Sequence, residues 1–175
     1  MKKFNLQLFA EAVQGKDIMY MFRVLSEAAT NPAVALAFVT ENERSKSKDA
    51  DTTATKDGAI RTPGTAEVEI SATAILTKGD TYADRLEDAM DNNEVVECWE
   101  INLAEPVGDG ENKFKARYFQ GYLSEFTLSS SAEDHAEYEL TYGANGAGVK
   151  GEATVTKEQQ AIAAYVFKDT TATGA

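Results

Sequence analysis

The chain has 175 residues, with 17 lysine and arginine against 29 aspartate and glutamate, for a net charge of −12. A field of that sign repels phosphate chains and anionic membrane surfaces, which argues against tight nucleic-acid or lipid binding. With one cysteine, Cys98, and one histidine, His135, neither an intrachain disulfide nor a zinc site of four nitrogen or sulfur ligands fits within one chain.

This is the length of one domain, and a chain of this size can bury roughly 70% of its unfolded surface. Residues 1–16 read as an N-terminal arm. Phe4, Leu6, Leu8 and Phe9 are too few to build a core and suit docking on something else. The apolar part is short, is interrupted by Asn5 and Gln7 and stops at Glu11, so it does not read as an export signal. No window is long enough to span a membrane as a helix.

Ile18 to Val24 is a compact apolar run, expected as the first core strand, and Asn31-Pro32 marks a turn. Ala35 to Thr40 reads as the second strand. Residues 41–65 hold one large hydrophobe, Ile60, and read as a long polar loop. Loops beyond about 12–15 residues are uncommon unless disordered or functional.

The clearest pattern runs from Ala66 to Ile75. Val68, Ile70, Ala72 and Ala74 alternate with Glu67, Glu69, Ser71 and Thr73. Alternation with period two is the mark of a half-buried strand. Asp80 or Thr81 then caps a helix over 81–92, with Tyr82, Leu86, Ala89 and Met90 on its packing face.

Val95 to Leu103 is the next strand, with Cys98 as a buried apolar thiol. Phe114 to Thr127 reads as one bent strand or a pair, with Gly121 as the bend. Ala136 to Tyr142 repeats the alternation, with Glu137 and Glu139 opposite Ala136, Tyr138, Leu140 and Tyr142. Ala153 to Val155 suits a short edge strand, and Lys157 to Ala164 a turn of helix. Tyr165 to Phe167 suits a last strand, ahead of a polar tail at 169–175. The body of the domain is expected over 17–168.

Three constellations invite a chemical reading, and none carries one well. Gly146-x-Gly148-x-x-Gly151 has the dinucleotide spacing, but a strand-like stretch follows where a helix N-terminus would have to hold pyrophosphate. Ser131, Asp134 and His135 crowd one turn and would diverge, where a nucleophilic triad must converge. Asp49-x-Asp51 through Asp57-Gly58 lacks the helices and closing glutamate of a calcium loop. The expectation is a non-enzyme without cofactor or metal. A monomeric β-barrel or sandwich binding a small ligand is the alternative.

The order of features resembles the major tail proteins of long, flexible-tailed phages of Gram-positive bacteria, the group named after lactococcal phage TP901-1. The matching pieces begin with Thr55-Lys56-Asp57-Gly58 after a polar run, then Gly64, the Glu67–Thr73 alternation and the Asp80–Asn92 helix. Val96-Glu97-Cys98-Trp99 and Ala116-Arg117-Tyr118-Phe119-Gln120-Gly121-Tyr122-Leu123-Ser124 follow. Gly148-Val149-Lys150-Gly151, Thr156-x-Glu158-Gln159 and Tyr165-Val166-Phe167 close the set.

The resemblance implies a mainly β fold, a sandwich flanked by one helix, similar to the type VI secretion tube protein. It implies rings of six, stacked into a tube whose inner strands join around a channel for genomic DNA. The implied partners are further copies, the tape measure protein, and the tail terminator and distal tail proteins, with DNA only in transit and no membrane. The implied location is the virion tail, after synthesis in the host bacterial cytoplasm.

On that reading Glu67, Glu69, Glu137 and Glu139 are expected to face the channel. The long loop, with Ser45, Lys48, Asp51, Thr55, Lys56, Asp57 and Gly58, is expected to bridge rings. Tyr82, Leu86 and Met90 are expected to pack the helix.

Overall fold

The computed structural model describes residues 12–108 and 112–163. The strand expected at 165–167, the arm up to residue 11 and the tail at 169–175 lie outside them. Among the described residues, eight strands form one antiparallel hydrogen-bonded sheet. In chain order they are β1 (Ile18–Val24), β2 (Val34–Ala35), β3 (Val39–Thr55), β4 (Gly58–Ile75), β5 (Val96–Pro106), β6 (Lys113–Ser129), β7 (Glu137–Ala144) and β8 (Val149–Thr154). Helix α1 (Thr81–Asp91) lies between β4 and β5, and α2 (Lys157–Ala163) follows β8.

The sheet runs β2-β1-β5-β6-β7-β4-β3, with β8 also on β6. Strand β6 serves two layers. Its first half, from Phe114 to Gly121, pairs with β5, and its second half, from Gly121 to Ser129, pairs with β7. The sheet therefore folds over itself at Gly121, where the sequence places a bend. A Cβ there would stand 2.0 Å from the Gly143 carbonyl oxygen and 2.9 Å from the Ala144 Cα. These are backbone atoms, and they leave room only for hydrogen.

The two layers close on one core. Tyr20, Phe22 and Val24 of β1 meet Val68, Ile70, Ala72 and Ala74 of β4 and Tyr138, Leu140 and Tyr142 of β7. Phe22 and Tyr142 pack edge to face at 6.1 Å, and the Tyr142 hydroxyl donates to the Val96 carbonyl at 3.0 Å. Burying the body of a tyrosine stabilises only if its hydroxyl finds a partner, and this one does.

Helix α1 begins at Asp80, whose carboxylate accepts from the Tyr82 and Ala83 amides. Leu86, Ala83 and Ala89 are buried in the core, with Tyr82 and Met90 packed at its margin. The Tyr82 hydroxyl donates to the Phe22 carbonyl. The three helix-packing residues expected from the sequence thus all face inward.

A second cluster covers the other face of β1. Met19 and Met21 join Ile101, Phe114 and Val155. Beside it Glu97, only 5% exposed, accepts from Arg23 at 2.7 Å and from the Tyr118 hydroxyl at 2.6 Å. A buried carboxylate persists where such charge-assisted bonds replace its lost hydration. Strand β1 is thus covered on both faces, with Arg23, the one charged residue in its run, held by Glu97.

Three boundaries differ from the sequence reading. The short edge strand expected at Ala153 to Val155 starts earlier, at Val149, and pairs with β6 as β8. The expected second strand, Ala35 to Thr40, is broken. Val34–Ala35 pairs with β1, Leu36 turns into the core, and Phe38 adopts a left-handed φ of 50° before β3 starts. The expected loop at 41–65 is instead ordered strand. Residues 39–55 and 58–75 form one long hairpin closed by Thr55↔Gly58, with Lys56 and Asp57 as its turn. The hydroxyl of Thr55 donates to the Gly58 carbonyl at 2.6 Å. Most of this segment is exposed on both faces, so it lacks the apolar alternation that marks a half-buried strand.

Replacing Gly121 with alanine is expected to destabilise the chain by about 3 kcal/mol or more, because a backbone crossing must open. Thermal melting checks this; an unchanged melting temperature refutes the bend's close approach.

Burial holds the Tyr20, Tyr82, Tyr138 and Tyr142 phenols above their ordinary value of 10.0, with Tyr138 pushed up to about 12. A raised folded value gives stability that is complete below pH 10 and lost as pH climbs through the folded value. Each such phenol removes about 1.4 kcal/mol per pH unit in that window. In an alkaline titration their phenolate absorbance should appear together with the loss of β-sheet circular dichroism, not before it.

Candidate lumen face and assembly surfaces

One layer of the sheet, made of β3, β4, β7 and the second half of β6, buries only one side. Alternation fixes which side chains share the other. Strand β4 presents Glu67, Glu69, Ser71 and Thr73, and pairing carries the same face across its neighbours. Glu67, Glu69 and Glu139 are exposed and Glu137 is half-buried. The structure thus brings all four predicted glutamates onto one surface.

Three more join them that the sequence reading missed. Glu41 and Glu43 of β3 lie opposite Thr73 and Ser71, and Glu125 of β6 lies opposite Thr141. Glu41 and Glu43 were hidden in the supposed loop. Glu125 follows a register shift between Leu123 and Glu125, which breaks simple alternation in β6.

The carboxylates are spaced. Glu67 faces Ser47, Glu69 faces Ser45 and Gly143, Glu139 faces Thr73 and Thr127, and Glu137 faces Ile75 and Ser129. No glutamate stands directly across from another. Directly opposed like charges destabilise a sheet, so this arrangement holds seven carboxylates on one face at little loss of stability. Among the described residues, no lysine or arginine sits on this face between Glu41 and Ser47, Glu67 and Ile75, Glu125 and Ser129, or Glu137 and Gly143.

The opposite side of β3 carries Asn42, Arg44, Lys46 and Lys48. Arg44 pairs with Glu100 of β5, which also accepts from the Tyr20 hydroxyl at 2.8 Å. This link ties the root of the hairpin to the other layer.

Past Val68, the last residue of β4 paired with β7, the hairpin continues as a two-stranded ribbon. Ten residues of extended chain reach about 33 Å. Of the residues expected on a bridging loop, Asp51, Thr55, Lys56, Asp57 and Gly58 lie on this ribbon and Lys48 at its base. Ser45 does not. It sits in the acidic face opposite Glu69, so its placement in a loop is corrected. Ile60, near the tip, is 59% exposed.

The chemical candidates fall where a structural reading puts them. Ser131, Asp134 and His135 are exposed in the turn between β6 and β7, where the Ser131 hydroxyl accepts from the Glu133 amide. Gly146 and Gly148 have positive φ in the turn before β8, and a strand follows, not a helix. Asp49 to Asp57 is strand and turn. Cys98 is fully buried, and burial raises its thiol well above the usual range.

The family model of phage tail tube proteins matches residues 12–150. A protein of Staphylococcus phage phiMR25 assigned to the tail is 38% identical over 167 residues, covering 93% of this chain and 85% of its own. The tail tube protein gp17.1* of Bacillus phage SPP1 is 22% identical over 147 residues, covering 84% of this chain; the match spans about half, 54%, of the SPP1 protein. Among solved structures, the SPP1 tail tube superposes with a TM-score of 0.70 at 19% identity, covering 94% of this chain and 95% of that one. The tail of an empty gene transfer agent particle, refined with C6 symmetry, gives 0.57 at 18% identity, covering 83% and 100%. These likenesses extend the mainly β fold to assembled tubes, and the family match spans both the acidic face and the projecting hairpin. The chain belongs to the phage tail tube protein family.

Proposed function

We propose that six copies of this structural tail tube subunit close into a ring with the acidic face turned inward, and that stacked rings form the channel through which the phage genome leaves the capsid. The observation that carries this reading is the face of seven glutamates without a lysine or arginine. A wall that must pass DNA without holding it needs that property, because phosphate binding rests on lysine and arginine displacing counterions. Six copies at −12 each make −72 per ring. Screening acts over about 8 Å at physiological salt, so the wall repels mainly the DNA closest to it.

The six-fold count follows the C6 symmetry of the gene transfer agent tail. The tape measure, terminator and distal tail proteins are the further partners, and the assembled virion is the location, after synthesis in the bacterial host.

The projecting hairpin is the bridge between rings. A two-stranded ribbon exposed on both faces is marginal in water by itself, so its order calls for a surface to lie on. An adjacent ring supplies that surface. The rival reading, a small-ligand-binding sandwich, would use a groove of about 550 Å³ beside the start of β3. That groove opens at the free edge of β3, where a neighbouring copy would cover it.

Replacing Glu67, Glu69, Glu137 and Glu139 with glutamine should leave tubes that assemble. Replacing them with lysine should slow genome ejection by roughly tenfold or more through DNA held on the wall. Ejection from purified particles measures this, and normal speed in assembled lysine particles would falsify the channel assignment.

Ala50 pairs with Pro63, so deleting 50–63 and closing the gap with a two-residue turn shortens the hairpin without disturbing its root. The product should fold and assemble no tubes. Tubes of ordinary length in electron micrographs would end the bridging role.

A further inference from the structure

Asparagine is followed by glycine at one step of the chain, Asn145-Gly146. The pair sits in the turn between β7 and β8, and both residues are exposed. Gly146 takes a left-handed φ of 85° and has no side chain to shield its amide nitrogen. Asn145 is anchored by its backbone: its amide donates to the Gln120 carbonyl at 2.7 Å, beside the crossing at Gly121. Among the described residues, nothing hydrogen-bonds the Asn145 carboxamide or the Gly146 amide.

The other described asparagines lack this freedom. The Asn92 carboxamide donates to the Asp88 carbonyl at 2.8 Å, and the amide that follows it, of Asn93, donates to the Met90 carbonyl at 3.0 Å. Asn93 precedes Glu94, whose amide donates to the Ala89 carbonyl at 2.8 Å. Asn31 precedes Pro32, which has no amide proton. Asn42, Asn102 and Asn112 precede Glu43, Leu103 and Lys113, strand residues whose side chains crowd the amide.

We propose that Asn145-Gly146 is a self-modification site, at which the chain deamidates without an enzyme. Base removes the Gly146 amide proton, and the nitrogen attacks Cγ of Asn145. The new N–Cγ bond closes a succinimide ring as the Cγ–Nδ2 bond breaks, and the departing nitrogen takes a proton and leaves as ammonia. Water then opens the ring at either carbonyl, leaving aspartate or isoaspartate. One water is consumed and one ammonia released, with no oxidation or reduction.

The position of the product gives the reaction its consequence. Asn145 lines one groove with Glu67, Glu69 and Gly143, at the margin of the acidic face. A carboxylate there extends that face past the end of β7 and makes the net charge of −12 one unit more negative. The chemistry needs only the folded subunit; on the ring reading, every copy in a ring can gain one charge this way.

The test incubates the full chain in mildly alkaline buffer and maps it by peptide mass spectrometry. The peptide holding Asn145 should gain the mass difference between an amide and an acid, as separate aspartyl and isoaspartyl forms, while Asn92 and Asn93 stay unchanged. The rate should rise with pH, by up to about tenfold per unit, as the ionised fraction of a weak acid does below its pKa. On anion exchange the aspartyl form should elute with the Asn145→Asp variant. The Asn145→Gln variant changes an exposed side chain, should melt as the parent does, and closes the larger ring less readily. It should give no acidic form over the same time. An Asn145 that persists in the folded chain while a free peptide of residues 141–150 converts, or conversion at Asn92 ahead of Asn145, would overturn the site. Either result leaves the tube reading standing, and a chain that never assembles would count against that reading alone.

Discussion

At Gly121 the chain passes so close to the Gly143 carbonyl that only a hydrogen fits on the α-carbon. This close approach lets β6 pair with β5 over its first half and with β7 over its second, so a single strand joins both layers. The core follows from it. Once the sheet folds there, the inward faces of β1, β4 and β7 meet, and Phe22 reaches Tyr142. Backbone contact of this kind cannot be bypassed by repacking side chains, because no rotamer change moves a carbonyl.

Folding the sheet at that point makes its layers unequal. Strand β1 is covered on both sides, by the main core and by the Met19–Ile101 cluster. The layer of β3, β4, β7 and the end of β6 is covered on one. Its other face carries carboxylates separated by serine and threonine, which lets charge accumulate without direct opposition. A globular protein with no use for such a face would be expected to intersperse lysine. In the ring proposed for this subunit the same face would be the wall, and its hydroxyls would keep the surface hydrated between charges.

The hairpin and the open edges share one physical character. Each presents backbone or apolar groups that the subunit does not satisfy by itself. Among the described residues, the ribbon beyond Val68 lacks a third strand, Val39 and Leu128 lack strand neighbours at the two ends of a row, and Asn42 Oδ1 lacks a donor.

Some of this was legible in the residues alone. The apolar run Ile18–Val24, with Arg23 inside it, marked a core strand, and the alternation at Ala66–Ile75 and Ala136–Tyr142 marked strands covered on one face. Asp80 or Thr81 marked the start of α1, with Asp80 the cap in the fold, and Gly121 marked the bend. Strand β3 was not legible, because a ribbon wet on both sides has no apolar alternation to detect, and its pairing partner lies across the turn at Lys56-Asp57. Glu41, Glu43 and Glu125 were missed for the same reason and because of the register shift after Leu123.

Local sequence, acting through side-chain period and capping chemistry, determined which segments are extended, where the helix begins and which way Glu67, Glu69, Glu137 and Glu139 point within their own strands. Only the tertiary structure decided that these four share a surface with three others, and that among the described residues the sheet ends in two open edges. Register between β4, β7 and β6 depends on hydrogen bonds between residues far apart in the chain, such as those that set Glu69 opposite Gly143, and no local pattern specifies them.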